Sequence, residues 1–202
     1  DIDNFSYAAP TYIRSEDKLA PHNVHSSTEK LWQLASKLGW GAQDDVTDKR
    51  WDEGFLPWQF KNDETNLPAE KKMHVEFWSN QPDYSVDWQY DQASNSYKRI
   101  HNGKVQIDNA NKKEIMPKVV IVQYLLESQA NDNYPGNIHL LYKAIGNGKA
   151  LIFQDGKTIE GTWEKQARTG RTKYVDANGA EIKFNRGQVW IQNVPDFADV
   201  TY

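Results

Sequence analysis

The C-terminal half of the chain is divided into short apolar segments by pairs of turn-forming residues. Asn-Gly and Asp-Gly pairs tolerate positive φ at both central positions of a type I′ turn, and the twist of that turn matches an antiparallel hairpin. The pattern therefore predicts a meander of antiparallel strands over roughly half of the protein. The turn pairs are Asn102-Gly103, Asn147-Gly148, Asp155-Gly156, Asn178-Gly179 and Arg186-Gly187.

The segments between the turns alternate in polarity with a period of two, as half-buried strands do. Val86, Trp88 and Tyr90 share one face of a predicted strand, and Asp87 lies on the other face. Val119–Leu126 is apolar almost throughout, which is typical of a strand buried on both faces. We predict an α+β fold: a mostly antiparallel β sandwich or partly open barrel, with one amphipathic helix near the N-terminus.

That helix is predicted over about Thr28 to Leu38. From Leu31 onward, apolar residues recur at i, i+3, i+4 and i+7, so that they share one helix face. Ser26 and Glu29 have the spacing of a capping box. Gly39 stands where a left-handed C-terminal cap belongs.

The 202 residues can form one large domain or two small ones. A polar stretch rich in Gly and Pro suggests a division near residue 65. We expect residues 1–65 to be the end of an N-terminal α/β domain plus a connector, and residues 66–202 to be the antiparallel β domain. The chain starts without an initiator Met or a signal sequence, which predicts a processed or trimmed product.

Charge and cysteine content exclude several classes of function. The 24 basic and 28 acidic residues give a net charge of −4, which does not favour nucleic acid or an anionic membrane as a partner. The chain contains no cysteine, so it has neither disulfides nor Cys-ligated zinc. We find no nucleophile elbow and no dinucleotide-binding loop, and we expect no cofactor.

A polar cluster precedes the predicted helix and includes Arg14, His22 and Asn23. The amides and dipole of a helix N-terminus favour an anion, so these residues could hold a phosphate or carboxylate, and His22 could act as a general base. Capping and loop hydrogen bonds are the favoured interpretation. His22 and His25 also form H-x-x-H, but no third ligand is evident and we expect no metal.

A second polar cluster is predicted on the β domain and consists of Asp87, Tyr97 and Arg99. Asp87 and Arg99 lie on neighbouring predicted strands and could pair across them. An ion pair on a solvated face is favoured over a ligand site. A basic stretch, Lys165–Lys173, could receive an acidic polymer, although a solvated loop is the favoured reading.

Aromatic side chains suggest a third kind of site, because rings bury apolar surface against sugars. For each individual ring, a place in the core is the favoured interpretation. On the connector, Trp51 and Trp58 are expected to be the most exposed. The rings considered on the β domain are Trp78, Trp88, Tyr90, Trp163 and Trp190.

RSEDKLAPHN at Arg14–Asn23 is followed by STEKL at Ser27–Leu31, and further characteristic segments follow between Tyr84 and Ile191. Taken in order, these segments resemble the YerB-like lipoprotein family. The resemblance covers nearly the whole chain and implies a bacterial, exported and often lipid-anchored protein with two domains of unknown function. It also implies that this chain holds the end of the N-terminal domain and the entire C-terminal domain. The further matching segments are Tyr84–Asp91, Gly146–Ala150, Phe153–Lys157, Gly161–Trp163 and Gly187–Ile191.

We therefore expect an extracytoplasmic protein of the bacterial cell envelope, membrane-anchored in its full-length form. The leading hypothesis is a non-enzymatic module that binds a cell-wall glycan, a teichoic acid or an envelope protein. One alternative is an enzyme acting on an anionic envelope substrate through His22 and Arg14. Another is a structural scaffold domain of an envelope complex, which would expose a large apolar patch.

Overall fold

The computed structural model describes residues 8–20, 22–41, 43, 48, 50, 52–65, 68, 71–133, 136 and 139–202. The chain forms two compact units, Asp1–Phe55 and Leu56–Tyr202. The division falls before residues 56–65, which the sequence grouped with the N-terminal part. These residues belong to the second unit because Trp58 and Lys61 form hydrogen bonds within it.

Within its described residues, the first unit contains two helices and one short antiparallel strand pair. In the helix over Thr28–Lys37, Ala35 is buried, on the apolar face that the sequence predicted. In order, the elements are α1 (Ala8–Thr11), β1 (Ile13–Arg14), β2 (Val24–His25) and α2 (Thr28–Lys37).

The ends of α2 match the sequence prediction at one terminus and correct it at the other. Gly39 has φ +73°, so the predicted left-handed cap is confirmed. The capping residue at the start is Ser27 and not Ser26. The Ser27 hydroxyl accepts the Lys30 N–H at 3.2 Å. Ser26 instead donates its hydroxyl to the carbonyl oxygen of Thr11 at 2.6 Å.

The second unit contains two five-stranded sheets. The central sheet has the order β13-β12-β11-β8-β15, and the outer sheet has the order β16-β4-β5-β6-β7. The described part of the unit also contains two short pairs, β9 with β10 and β3 with β14. The strands are β3 (Phe60–Lys61), β4 (Lys72–Glu76), β5 (Val86–Asp91), β6 (Ser96–His101), β7 (Lys104–Val105), β8 (Val119–Leu125), β9 (Glu127–Gln129), β10 (Leu140–Tyr142), β11 (Gly146–Gln154), β12 (Lys157–Lys165), β13 (Lys173–Asp176), β14 (Phe184–Asn185), β15 (Val189–Pro195) and β16 (Asp199–Thr201).

The central sheet buries apolar side chains on both of its faces. On one face, Val122 and Leu151 pack with Trp88 and Tyr90 of the outer sheet. On the other face, Ile121 belongs to a second cluster that includes the rings of Trp163, Tyr174 and Phe184. All seven residues of β8 are buried, as the continuous apolar run predicted. The α+β prediction is confirmed, and its sandwich form holds because the sheets do not close into a barrel.

Two of the predicted type I′ turns are present. Asn102 and Gly103 have φ of 50° and 68° between β6 and β7. Asp155 and Gly156 have φ of 54° and 64° between β11 and β12. Both central residues of each turn therefore occupy the left-handed region that this turn type requires.

The turn predicted at Asn147-Gly148 is wrong, because both residues lie inside β11. Gly148 pairs with Trp163 across the sheet. A Cβ at position 148 would lie 2.6 Å from the Trp163 indole nitrogen, and that nitrogen donates to the carbonyl oxygen of Tyr124 at 2.7 Å. Glycine here leaves room for a buried tryptophan and does not mark a chain reversal.

Candidate functional site

The second unit has a cavity of about 470 Å³ beside β15, called here the Trp190 cavity. One wall is the start of β15, and the other is loop 108–117, which leads from β7 into β8. Its volume lies within the range of about 300–1,000 Å³ that is usual for small-molecule sites. The lining residues are Asp108, Asn111, Glu114, Ile115, Pro117, Gln188, Val189 and Trp190.

The position of Trp190 follows from the pairing of β15. This strand runs parallel to β8 at the edge of the central sheet, with Trp190 opposite Val120. The Trp190 ring packs against the buried Trp88 of the outer sheet, with centroids 5.6 Å apart and planes at 65°. Trp190 is half-buried and lines the cavity.

Local hydrogen bonds hold the opposite wall in shape. The Asp108 carboxylate accepts the N–H of Ala110 at 2.8 Å and the side-chain amide of Asn111 at 3.0 Å. This is an Asx turn, in which a side chain takes over part of the backbone bonding. Glu114 forms an ion pair with Lys98 of β6 at 3.0 Å. The acceptor oxygens of the loop are therefore held in position before any ligand arrives.

Arg99 of β6 is in contact with both tryptophans of the site. Its guanidinium carbon lies 4.9 Å from the ring centroid of Trp190 and 5.7 Å from that of Trp88. Its backbone N–H donates to the carbonyl oxygen of Ile115, a residue of the cavity wall, at 3.1 Å. Burial lowers the pKa of Arg99 below its usual value.

The cavity combines an aromatic surface with fixed hydrogen-bonding groups. An indole can pack against the apolar face of a ring-shaped ligand, and carboxylate and amide groups can bond its hydroxyls. Carboxyl oxygens come from Asp108 and Glu114, and amides come from Asn111 and Gln188. Among the described residues that line it, there is no histidine, serine or lysine. The arrangement is suited to binding a polyhydroxylated molecule.

A separate buried polar cluster surrounds Asp155, which is 1% exposed. Its carboxylate accepts from the Lys61 ammonium at 2.5 Å, from the amides of Asn95 and Asn185 at 2.8 and 2.6 Å, and from the Glu64 N–H at 3.2 Å. Burial alone would raise the pKa of Asp155, but these hydrogen bonds outweigh it and lower the pKa below the usual value. The cluster joins the connector to both sheets and is structural.

The structure separates the predicted cluster of Asp87, Tyr97 and Arg99. The expected Asp87–Arg99 pair is wrong, because Arg99 lies opposite Trp88 on the inner face of the outer sheet. Asp87 points to the other face and contacts His74 at 2.6 Å. The Tyr97 hydroxyl is buried and accepts an amide N–H of the Asp155 hairpin at 3.1 Å. Of these three residues, Arg99 contacts Trp190, a lining residue of the cavity.

In the first unit, the residues predicted before the helix bond to one another. Arg14 donates to the side-chain oxygen of Asn23 at 2.8 Å, and the Asn23 amide donates to the carbonyl oxygen of Ser15 at 3.0 Å. These contacts close the β1–β2 hairpin, which agrees with the favoured loop-bonding interpretation. His22 is exposed beside them. A role for Arg14, His22 or Asn23 in ligand binding stays a prediction.

The rings considered as a glycan-binding face have different surroundings. Trp88 and Tyr90 are fully buried and Trp163 is 2% exposed, which is consistent with a place in the core. Trp78 is half-buried and donates its N–H to the Glu127 carboxylate at 3.0 Å. Trp190 is the ring of this set that lines the cavity.

The connector ring lies elsewhere than expected, and the basic stretch contains one residue that is paired within the protein. Trp58 is not among the most exposed rings, because it packs into the second core cluster and donates to the carbonyl oxygen of Thr172 at 2.8 Å. Trp51 lies outside the described residues. In the basic stretch, Arg171 is paired with Glu181, so its charge is already balanced.

The loop side of the cavity, Asp108, Asn111 and Glu114, was missed in the sequence analysis, as was Gln188. A polar turn before the buried strand β8 is the only local signal, and such turns are common. What brings loop 108–117 to Gln188 is the parallel pairing of β15 with β8, which no local pattern specifies. Among the described residues, no group of three or more potential metal ligands occurs, and no helix is long and apolar enough to cross a membrane.

These features define an α+β protein whose larger unit is an open two-sheet sandwich with a cavity at its edge. The chain belongs to the family described as "Protein of unknown function (DUF3048) C-terminal domain", which matches residues 73–191. It is 22% identical over 196 residues to "Putative lipoprotein YerB" of Bacillus subtilis (strain 168), covering 96% of this chain and 54% of that protein. The resemblance to the YerB-like family is thereby confirmed.

The fold is also similar to the crystal structure of the YerB protein from Bacillus subtilis. That structure matches with a TM-score of 0.72 at 22% identity, over 100% of this chain and 63% of the other. The chain thus spans about half the length of the curated relative it matches. At this identity the likeness concerns the fold.

Proposed function

We propose that the second unit is a saccharide-binding module of a bacterial envelope protein, which holds a segment of a cell-wall polymer in the Trp190 cavity. The observation that carries this proposal is the composition of the cavity. One half-buried indole faces a loop whose carboxylate and amide groups are fixed by their own hydrogen bonds. Sugars need both parts, because they have apolar ring faces and many hydroxyls.

The envelope setting rests on a relative. The matched Bacillus protein bears the name lipoprotein, which supports an exported and anchored full-length protein. The activity and partners of that full-length protein are part of the proposal, because this chain spans about half of it. The enzymatic alternative gains no support, since Arg14 and Asn23 bond to each other.

Calorimetric titration of the chain with soluble peptidoglycan fragments, teichoic acid and unrelated neutral glycans tests the proposal. Trp190→Ala should weaken binding of the best saccharide by roughly tenfold, the loss expected when an aromatic stacking contact is removed. Trp32→Ala is the matched control, since Trp32 is 64% exposed in the first unit and should leave binding unchanged.

Trp190 also packs on Trp88, so its replacement can disturb the fold. Gln188→Ala removes a lining amide from an exposed residue and should weaken the same binding without lowering the melting temperature. Failure of every saccharide to bind, or equal affinity of wild type and both cavity variants, overturns the proposal.

A further inference from the structure

Arg99 lacks the counter-charge that the partly buried cations Arg171 and Lys61 have. Its Nε is buried without a hydrogen-bond partner, and neither an ion pair nor a side-chain hydrogen bond of Arg99 occurs among the described residues. Arg171 provides the contrast, since its guanidinium binds both carboxylate oxygens of Glu181. Lys61 likewise binds the buried Asp155. Each of these two cations is matched within the protein, whereas Arg99 is not.

The surroundings of Arg99 compensate for this only in part. A guanidinium stacked on aromatic rings is stabilised by their quadrupoles, and Arg99 has two such rings, Trp88 and Trp190. Ring faces contact the plane of the guanidinium, however, and supply no acceptor for the N–H groups in that plane. A partly buried cation whose Nε–H is buried without an acceptor remains costly, as the lowered pKa of Arg99 also indicates.

The place of Arg99 connects this unmatched charge to the proposed binding site. The guanidinium contacts the ring of Trp190, and the Arg99 backbone bonds to Ile115. Both of those residues line the cavity. An acceptor group on a molecule bound against Trp190 would therefore be close to the donors of Arg99.

We infer that the saccharide held in the Trp190 cavity carries an anionic oxygen group, a carboxylate or a phosphate, which pairs with Arg99. This inference rests on the proposed saccharide binding and specifies its ligand class. The planar guanidinium fork matches both kinds of group in two-point hydrogen bonding. In this orientation, the neutral hydroxyls of the saccharide face the Asp108 and Glu114 carboxylates of the loop wall. The anionic group of the saccharide lies on the side of Arg99.

A matched pair of ligands tests the inference directly. The peptidoglycan disaccharide with a free muramic acid carboxylate is compared with the same disaccharide in which that carboxylate is converted to the amide. Wild type should bind the acid more tightly than the amide by roughly tenfold to a hundredfold, the range for a hydrogen bond to a charged group. A glycerol phosphate oligomer serves as a competitor, and displacement by it would identify phosphate as an accepted anionic group.

The Arg99→Met variant should abolish the preference for the acid, and Arg99→Lys should retain a reduced preference because it keeps charge without the fork. Equal affinity of wild type for acid and amide, without displacement by the phosphate oligomer, overturns the inference but leaves saccharide binding intact. A preference that persists in Arg99→Met also overturns it. Should Arg99→Met fail to fold, the affinities of wild type and of Arg99→Lys for the acid and the amide still test the inference. If neither disaccharide nor the oligomer binds, the proposed function itself is wrong.

Discussion

Replacement of Asp155 by Asn should strongly destabilise the second unit. Asn keeps the size of the side chain and tolerates the φ of 54° at this position, so neither a cavity nor backbone strain is introduced. The substitution removes the negative charge of the carboxylate and replaces one of its two acceptor oxygens by an NH₂ group. The Lys61 ammonium, now 2.5 Å from a carboxylate oxygen, would face an amide group.

The magnitude follows from the burial of the two partners. Breaking a buried ion pair by removing one partner costs about 3–5 kcal/mol. Lys61 retains 27% side-chain exposure and has Glu64 at 3.7 Å, so water and a second carboxylate reduce the penalty. We therefore expect the free energy of unfolding to fall by about 2–4 kcal/mol at pH 7.

Urea unfolding followed by tryptophan fluorescence measures this loss. Asp63→Asn is the matched control, because Asp63 forms an ion pair with Lys118 of similar length, 2.7 Å, but is 39% exposed. That variant should lose less than about 1 kcal/mol. If Asp155→Asn were as mild as Asp63→Asn, the structural importance assigned to the Asp155 cluster would be wrong.

The stability difference between wild type and Asp155→Asn should depend on pH in a defined way. Hydrogen bonds hold the pKa of folded Asp155 below the value of the unfolded chain, against the effect of burial. Its stabilisation is therefore fully present above the unfolded-state pKa and is lost as the pH falls through the lowered folded-state pKa. The stability difference between wild type and Asp155→Asn should be constant near neutrality and shrink below about pH 4.

Two further substitutions test the packing and the helix start. Gly161→Ala should lower the free energy of unfolding by about 1–3 kcal/mol, because its Cβ would lie 2.3 Å from a backbone carbonyl oxygen of β13. Gly170→Ala, whose Cβ would have 3.4 Å to its nearest neighbour, is the control for the thermal melt. Ser27→Ala should cost about 1 kcal/mol and speed hydrogen exchange at Lys30, whose N–H loses its acceptor. Ser36→Ala, at an exposed position within the helix, should change neither quantity appreciably.

Local sequence patterns predicted much of the β architecture. Alternation placed Trp88 inward and Asp87 outward, and Asp-Gly and Asn-Gly pairs marked two type I′ hairpins, because these features depend on neighbouring residues alone. The almost entirely apolar run identified β8 as the buried central strand. The wrong turn at Asn147-Gly148 shows the limit of such patterns, since the same dipeptide can serve a turn or the packing of a distant indole.

The candidate site was accessible to sequence reasoning only in part. Arg99 and Trp190 were recognised as candidates, but Arg99 was paired with Asp87, which the register places on the opposite face. The ring that Arg99 contacts most closely comes from a strand ninety positions further along the chain, and strand order is not encoded in local periodicity.

The sequence by itself determined which segments are strands, where two hairpins turn and which side chains can face inward. The tertiary structure alone decided that β15 lies parallel to β8, and this long-range pairing places Trp190 beside Arg99 and against loop 108–117. The physical reason is that alternation and turn chemistry act between neighbours along the chain, whereas the choice of a strand's partner depends on how the whole apolar surface is buried.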